Sequence, residues 1–451
     1  LRGSYLDRQR SERIVAGSTS RDPRPSKAEN YDVGGKLQFT LDDKNSFWVD
    51  GFTSNQTYDN SDQRLGNFFS RGGIAGYEDE LEFNRLQISA GHDGNYDFGQ
   101  WKTYISQNKT ETKGRTIPTD AFPALAGQPR TLENTDLVFD SHLIAPIANH
   151  KLTVGTEYKD VTIADDIAGM GKEFTQDTWS VYAEDEWSLL DNLHFTFGGR
   201  YEDHSGFGGH FSPRAYLVWN TTDALTLKGG VSTGYKTPSA KDLYNGIVGY
   251  SGQGTTPSLG NPDLKPEESF SYEIGVDQKL NHNIDLGLSI YRNKVDNLIS
   301  YQAGKLVNVN KATFTGGEAS FKWQQDKLFL TTTYAYVQAK DDETKKDLTR
   351  RPRQSLTLTT GWDDGVYGVS VSVVAKSNSK DFADYPSTTP TTTPGYVSTN
   401  VNAYWQATPM IKLFTNIENI GDVNYKTAYN GSGVYYINGG RQATAGVTFR
   451  Y

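Results

Sequence analysis

The chain offers several groupings of side chains that could do chemistry, and each is undercut by its sequence context. Gly230-Val231-Ser232-Thr233-Gly234 has the Gly-x-Ser-x-Gly spacing of a nucleophile elbow. That elbow needs a sharp turn from strand into helix, so that the serine stands clear of a sheet. Here the pentapeptide lies inside an alternating, strand-like run. Asp97-Phe98-Gly99 has the order of a kinase magnesium tripeptide, but the glycine-rich and catalytic loops that phosphoryl transfer requires are absent. The histidines at positions 92, 142, 150, 194, 204, 210 and 282 include no His-x-x-x-His pair, so no first-row metal site is expected. The acidic runs Asp165-Asp166 and Asp341-Asp342-Glu343 could offer oxygen ligands to Ca²⁺, though such runs more often carry solvated loop charge. Cysteine is absent, which removes disulfides, thiolate metal sites and a cysteine nucleophile. The expectation is a protein that is not an enzyme, with no cofactor and no resident metal.

The elements that carry these residues say more. At the end of the chain Ala443, Ala445, Val447, Phe449 and Tyr451 are apolar, while Gln442, Thr444, Thr448 and Arg450 between them are polar. Successive side chains of a strand point to opposite faces, so this strand has one greasy face and one wet face. The pattern recurs. Leu193, Phe195, Phe197 and Tyr201 alternate with polar residues, as do Ile284, Leu286, Leu288 and Ile290, then Tyr367, Val369, Val371 and Val373, then Val397, Thr399, Val401, Ala403 and Trp405. Roughly 20 such segments, mostly about 9–14 residues long, suit strands that cross a bilayer at a tilt.

The 451 residues show no linker and no change of pattern, so residues 1–451 are read as one domain. Only 35% of residues are hydrophobic, which is poor for a soluble core of this size but suits a barrel with a wet lumen. Aromatic residues reach 12%, as interfacial girdles require. No apolar run of about 18 residues is present, so no transmembrane helix is expected. No signal peptide is visible, and the chain opens inside a strand-like segment, Leu1–Arg13. A net charge of −9 argues against nucleic acid as a partner.

Connections alternate in length. Asp42–Asn45, Ile147–His150, Asp191-Asn192, Thr221–Asp223 and Asn281–Asn283 are short and built from turn-formers. Ile14–Asn30, Lys113–Pro129, Ala164–Glu173, Asn245–Glu267, Lys340–Arg350 and Lys380–Gly395 are long. Short turns at one end and long loops at the other describe an outer-membrane barrel, with periplasmic turns and extracellular loops. With Tyr451 at the periplasmic side, segments beginning at Leu225, Ile284, Leu328 and Ile411 run outward. Those beginning at Ser269, Lys311, Arg353, Tyr396 and Arg441 run inward.

Several motifs then carry a resemblance. Asn261-Pro262-Asp263-Leu264-Lys265-Pro266-Glu267, followed by Ser269, Tyr272-Glu273 and Gly275, resembles the motif that closes a large loop in TonB-dependent outer-membrane receptors. The following agree with that family in order and spacing: Tyr182–Trp187, Gly199–Glu202, Phe211–Arg214, Gly234–Pro238 with Leu243-Tyr244, Asn308–Ala312 with Gly317-Glu318, and Asn416–Asp422 with Tyr425. The terminal Gly446, Phe449 and Tyr451 resemble the insertion signal read by the barrel-assembly machinery. Within the family, Gly252–Pro262 is most similar to the colicin I receptor group of catecholate siderophore receptors.

The resemblance implies an all-β, transmembrane antiparallel barrel of about 22 strands, of which about 20 are visible here. It implies a monomer in the bacterial outer membrane, surrounded by lipid, that imports a ferric siderophore of catecholate type, with iron only as cargo. TonB-ExbB-ExbD would act through an N-terminal plug. Neither the plug, the TonB-box nor the first two strands are found in this sequence. Charges such as Glu184, Glu186, Arg200 and Arg214 are implied to face the lumen. Extracellular loops would supply cations and rings for the anionic, aromatic ligand. The candidates are Arg21, Arg24, Lys27, Arg115, Arg130, Tyr244, Tyr250, Arg350, Arg351, Arg353 and Tyr385. The alternatives are a passive porin-like channel, a docking barrel for a colicin or other bacteriocin or a phage, or a receptor of the same family for haem or cobalamin.

Overall fold

A computed structural model describes residues 1–9, 27–59, 77–117, 123–251, 256–302, 305–348, 351–382, 390–423, 426–429, 435–437 and 440–449. The first eleven strands are β1 (Arg2–Arg8), β2 (Ala28–Thr40), β3 (Asn45–Asp59), β4 (Tyr77–Tyr96), β5 (Gly99–Thr116), β6 (Pro129–Ile147), β7 (His150–Asp165), β8 (Phe174–Leu190), β9 (Leu193–His204), β10 (Gly208–Thr222) and β11 (Leu225–Lys236). A small hairpin, β12 (Ile247–Ser251) and β13 (Thr256–Leu259), interrupts the series. Then come β14 (Glu267–Asn281), β15 (Ile284–Gln302), β16 (Lys305–Gln325), β17 (Leu328–Asp341), β18 (Gln354–Asp363) and β19 (Tyr367–Lys376). A second hairpin, β20 (Ser379–Phe382) and β21 (Pro390–Thr393), precedes β22 (Tyr396–Thr408) and β23 (Ile411–Glu418). A third, β24 (Lys426–Tyr429) and β25 (Tyr435–Ile437), precedes the final strand β26 (Gln442–Phe449).

Twenty of these strands make one antiparallel meander. Each long strand pairs with the next long strand, so β11 pairs with β14, β19 with β22 and β23 with β26. The hairpin β12–β13 joins the sheet through the single bridge Leu259↔Lys305. Among the described residues no ladder links β1 to β26. The expected alternation of connections holds except at β9–β10 and β15–β16, which are short on the side of the long loops, and the three small hairpins lie in long loops that the sequence left unassigned. The strands β4–β8, β15 and β16 run to 16–21 residues, beyond the expected length. The first strand is described over Arg2–Arg8, and residues 10–13 of the expected segment lie outside the described residues.

The two faces separate as the alternation requires. Leu37, Ile88, Phe197, Ile274, Leu288 and Val447 all lie on one face and are exposed. A monomeric soluble protein does not spread large apolar residues over a whole sheet face, whereas a lipid-facing wall must. The inner face is polar but also carries rings seated on glycines. Tyr182 lies opposite Gly155, Tyr216 opposite Gly230, Tyr291 opposite Gly316, Phe329 opposite Gly361 and Tyr404 opposite Gly368. A β-carbon at any of these glycines would meet its ring at 2.1–2.7 Å. The missing side chain is what lets the ring lie flat on the wall.

Apolar burial is concentrated at the loop end rather than in the barrel. Ile117, Ile167, Ala168, Phe174, Val248 and Leu264 are buried there. Phe174 meets Tyr244 edge to face, 5.5 Å between centroids. The loops after β7 and β11 are thereby packed against one another, and the mouth has a built rim.

Candidate ligand-binding wall and mouth

The proposed loop motif is a clamp. Asn261 donates through Nδ2 to the carbonyl of Leu306, and its N–H bonds the carbonyl of Asp242. Asn308 accepts the N–H of Lys265 and donates Nδ2 to the carbonyls of Lys265 and Asn297. Glu267 accepts the N–H of Ile299 at 2.7 Å. The two motifs Asn261–Glu267 and Asn308–Ala312, distant in sequence, thus tie the loop after β11 to β15 and β16. Asn419 does the same below the last loop: its side chain closes a turn on Val423, and its N–H bonds Asn400 Oδ1. Asp97-Phe98-Gly99 is the tight turn between β4 and β5, and Ser232 sits within β11.

The acidic runs are engaged with the protein itself. Asp165 holds Arg130 through paired bonds of 2.8 and 2.7 Å, with both side chains buried, and also accepts the N–H of Ile167. Asp166 accepts the N–H of Thr131. Asp341 accepts the N–H groups of Glu343 and Thr344, and Asp342 takes the hydroxyl of Thr313.

The candidate contact residues divide by these partners. Arg130 is committed to Asp165 and pins the loop after β7 to β6. Lys27 pairs with Asp59 at 3.7 Å. Arg115 sits beside Arg130 in the β5–β6 ladder. Arg353 binds Asp347. Tyr244 packs into the rim. Tyr250 lies on β12, opposite Pro257. Arg351 differs, because its guanidinium lies over the ring of Phe314, 5.1 Å from the centroid. Phe314 faces inward on β16, so Arg351 turns toward the lumen. Arg21, Arg24, Arg350, Tyr385 and Tyr451 lie outside the described residues. Gly446 faces Phe414 in the β23–β26 ladder, and Phe449 is exposed on the outer face.

Below Arg351 the inner wall forms a cavity of about 590 Å³. Its chemistry comes from Arg214, Tyr216, Glu273, Tyr291, Phe314 and Arg351. Arg214 is half-exposed and only 3.3 Å from Glu184, while Arg200 is held between Glu157 and Glu202. The predicted lumen charges therefore do face inward. The rings of the cavity were not singled out in the sequence, because each is one inward residue of a different strand. The only signal was the alternation itself.

The family described as "TonB dependent receptor-like, beta-barrel" matches residues 27–420. The chain is 27% identical over 354 residues to the iron-regulated outer membrane virulence protein of Vibrio cholerae, covering 72% of this chain and 51% of that protein. It is 26% identical over 258 residues to the vitamin B12 transporter BtuB of Vibrio vulnificus, covering 56% of this chain and 39% of that one. The chain spans about half the length of the curated relatives it matches. Among solved structures it is similar to the ferric enterobactin receptor PfeA of Pseudomonas aeruginosa, with a TM-score of 0.79 and 21% identity, covering 98% of this chain and 72% of that one. That likeness shows the shared fold. Because the family match runs from Lys27 to Ile420, nearly the whole of the meander, this chain belongs to the TonB-dependent receptor family, as a β-barrel of the bacterial outer membrane.

Proposed function

We propose that the full-length protein imports a ferric siderophore of catecholate type. A plug outside this sequence would couple it to TonB-ExbB-ExbD. One observation carries the ligand class: Arg351, cation over ring on Phe314, stands above a wall cavity that also holds Arg214, Tyr216 and Tyr291. A ferric tris-catecholate is anionic and aromatic, and guanidinium groups near rings offer it both charge and stacking. The Vibrio cholerae relative is named as iron-regulated, and the Pseudomonas neighbour as a ferric enterobactin receptor, in keeping with this reading.

The test is equilibrium binding of ferric enterobactin, haem and cyanocobalamin to the full-length protein, with liposome conductance measured alongside. Saturable binding of the ferric catecholate alone is expected. Cobalamin binding would move the reading toward the second relative's named ligand. Ligand-independent conductance without binding would replace the receptor reading with a passive channel.

A further inference from the structure

The inner wall below Arg351 carries acids that an anionic cargo does not call for. Tyr216, Gly230, Glu273, Tyr291 and Gly316 lie side by side in one inward row from β10 to β16. A β-carbon on Gly230 would meet the Tyr216 ring at 2.3 Å, and one on Gly316 would meet the Tyr291 hydroxyl at 2.5 Å. Each ring therefore leans across its glycine. Tyr216 comes to lie beside Glu273 and donates its hydroxyl to that carboxylate. Tyr291 comes to lie beside Glu318, two residues along β16 from Gly316 and one inward row nearer the periplasm.

Glu273 and Glu318 are exposed to the lumen, and among the described residues neither is in an ion pair. Their neighbours of opposite charge are already engaged. Arg214 stands 3.3 Å from Glu184, Lys228 stands 2.6 Å from Asp277, and Arg200 is shared by Glu157 and Glu202. Lys322, two inward rows below Glu318, faces Asp285. Of the cavity's inward cations, Arg351 alone is left without an acid among the described residues, and it lies over Phe314. Phe314 is two strands and two residues from Glu273. At a strand spacing of about 4.8 Å and a rise of about 3.4 Å per residue, their backbones stand about 12 Å apart. Between them in height, the Asn293 amide oxygen also lines the cavity without a hydrogen-bond partner among the described residues.

A carboxylate with a tyrosine ring beside it suits an ammonium group: the acid accepts charge-assisted hydrogen bonds and the ring face takes the cation. A carboxylate also has about four lone-pair sites, so the Tyr216 hydroxyl leaves Glu273 free to accept more. A ferric tris-catecholate with no cation of its own would meet two unpaired acids below a single arginine. We propose that the ferric catecholate carried by this receptor bears a primary amine, held at Glu273 and Glu318 while the iron-catecholate head lies at Arg351 and Phe314. This inference rests on the catecholate reading above and narrows it. Ferric enterobactin, which has no amine, binds through the upper contacts alone.

The test uses the full-length receptor and a matched pair of probes: the ferric tris complexes of 2,3-dihydroxybenzoyl-lysinamide and of its Nε-acetyl derivative, which lacks the ammonium charge. Equilibrium binding at low salt, read by quenching of tryptophan fluorescence, is expected to favour the amine form at least tenfold. The double variant E273Q/E318Q should cut that preference below threefold. Arg351→Gln should weaken both probes and leave their ratio unchanged. Equal binding of the two probes by wild type, or an undiminished preference in the double variant, overturns the proposal. Failure of both probes beside saturable binding of haem or cyanocobalamin would overturn the catecholate reading itself, and this inference with it. Heat-shifted migration on a gel checks that each variant is folded. Should the double variant fail that check, the single variants Glu273→Gln and Glu318→Gln decide, each expected to lower the preference.

Discussion

The ring of Phe414 faces Gly446 across the β23–β26 ladder, and a β-carbon placed on Gly446 would stand 2.4 Å from it. The penultimate and final strands are therefore keyed together by a ring and an empty position. Gly446 was expected to carry assembly information, and this contact gives it a physical role in register. Gly446→Val should cost about 1–3 kcal/mol through overpacking. Phe414→Leu in the same chain should recover part of it. Urea unfolding of the folded barrel, followed by tryptophan fluorescence, measures both, and an additive double variant would remove the coupling.

The buried pair Arg130–Asp165 should behave unlike the exposed pairs. Arg130→Ala leaves a buried carboxylate uncompensated and should cost about 3–5 kcal/mol locally. The loop after β7 would then open to protease near Ile167. Replacing both residues by apolar ones of similar size should be far milder. Protection measured by limited proteolysis decides between a structural pair and an ornamental one.

On the lipid face, Leu288 lies near mid-height among the outward residues Ile284, Leu286, Leu288 and Ile290, and Leu286 lies one row nearer the periplasmic edge. Leu288→Arg should cost about 2–4 kcal/mol, and Leu286→Arg somewhat less. Gly287→Ser, on the other face, should be mild, because the atoms it meets most closely are the Ser320 hydroxyl and the Asp277 carboxylate oxygen, both side-chain ends that can rotate away. Equal losses at 287 and 288 would falsify the register.

The arginines beyond β17 should separate under ligand. Arg351→Gln in the full-length protein is expected to weaken ferric-enterobactin binding at least tenfold at low salt, with a smaller loss at high salt because screening already weakens the native contact. Arg353→Gln should do less, since Arg353 is engaged by Asp347. Titrations at two ionic strengths show whether the two differ.

Asp364 occupies the turn between β18 and β19. It accepts the N–H groups of Tyr367 and Val366, which outweigh desolvation and hold its carboxyl below the ordinary value of 3.8. A group whose pKa is lowered by folding stabilises above its unfolded value and loses that contribution as pH falls through its folded value. Asp364→Asn should therefore flatten the decline in stability below about pH 4 while leaving the neutral-pH fold intact. Unfolding midpoints taken from pH 6 to pH 3 provide the comparison.

The period of two along Leu193–Tyr201, Ile284–Ile290 and Gln442–Phe449 determined by itself that strands cross a membrane and which face meets lipid. The reason is local: a strand's faces are fixed by parity alone, and lipid demands that one of them be apolar. Turn-formers such as Asp42–Asn45 and Asp191-Asn192 fixed where the chain reverses, again from neighbouring residues. Pairing of the motifs Asn261–Glu267 and Asn308–Ala312 was not legible, since a clamp between distant segments has no local signal. Nor was the fate of the arginines. Arg130, Arg351 and Arg353 look alike in sequence, yet one is buried on Asp165, one lies over an inward ring and one is neutralised by Asp347. Partners for long, flexible side chains are set by which strands the register brings together, and register joins residues far apart in the chain.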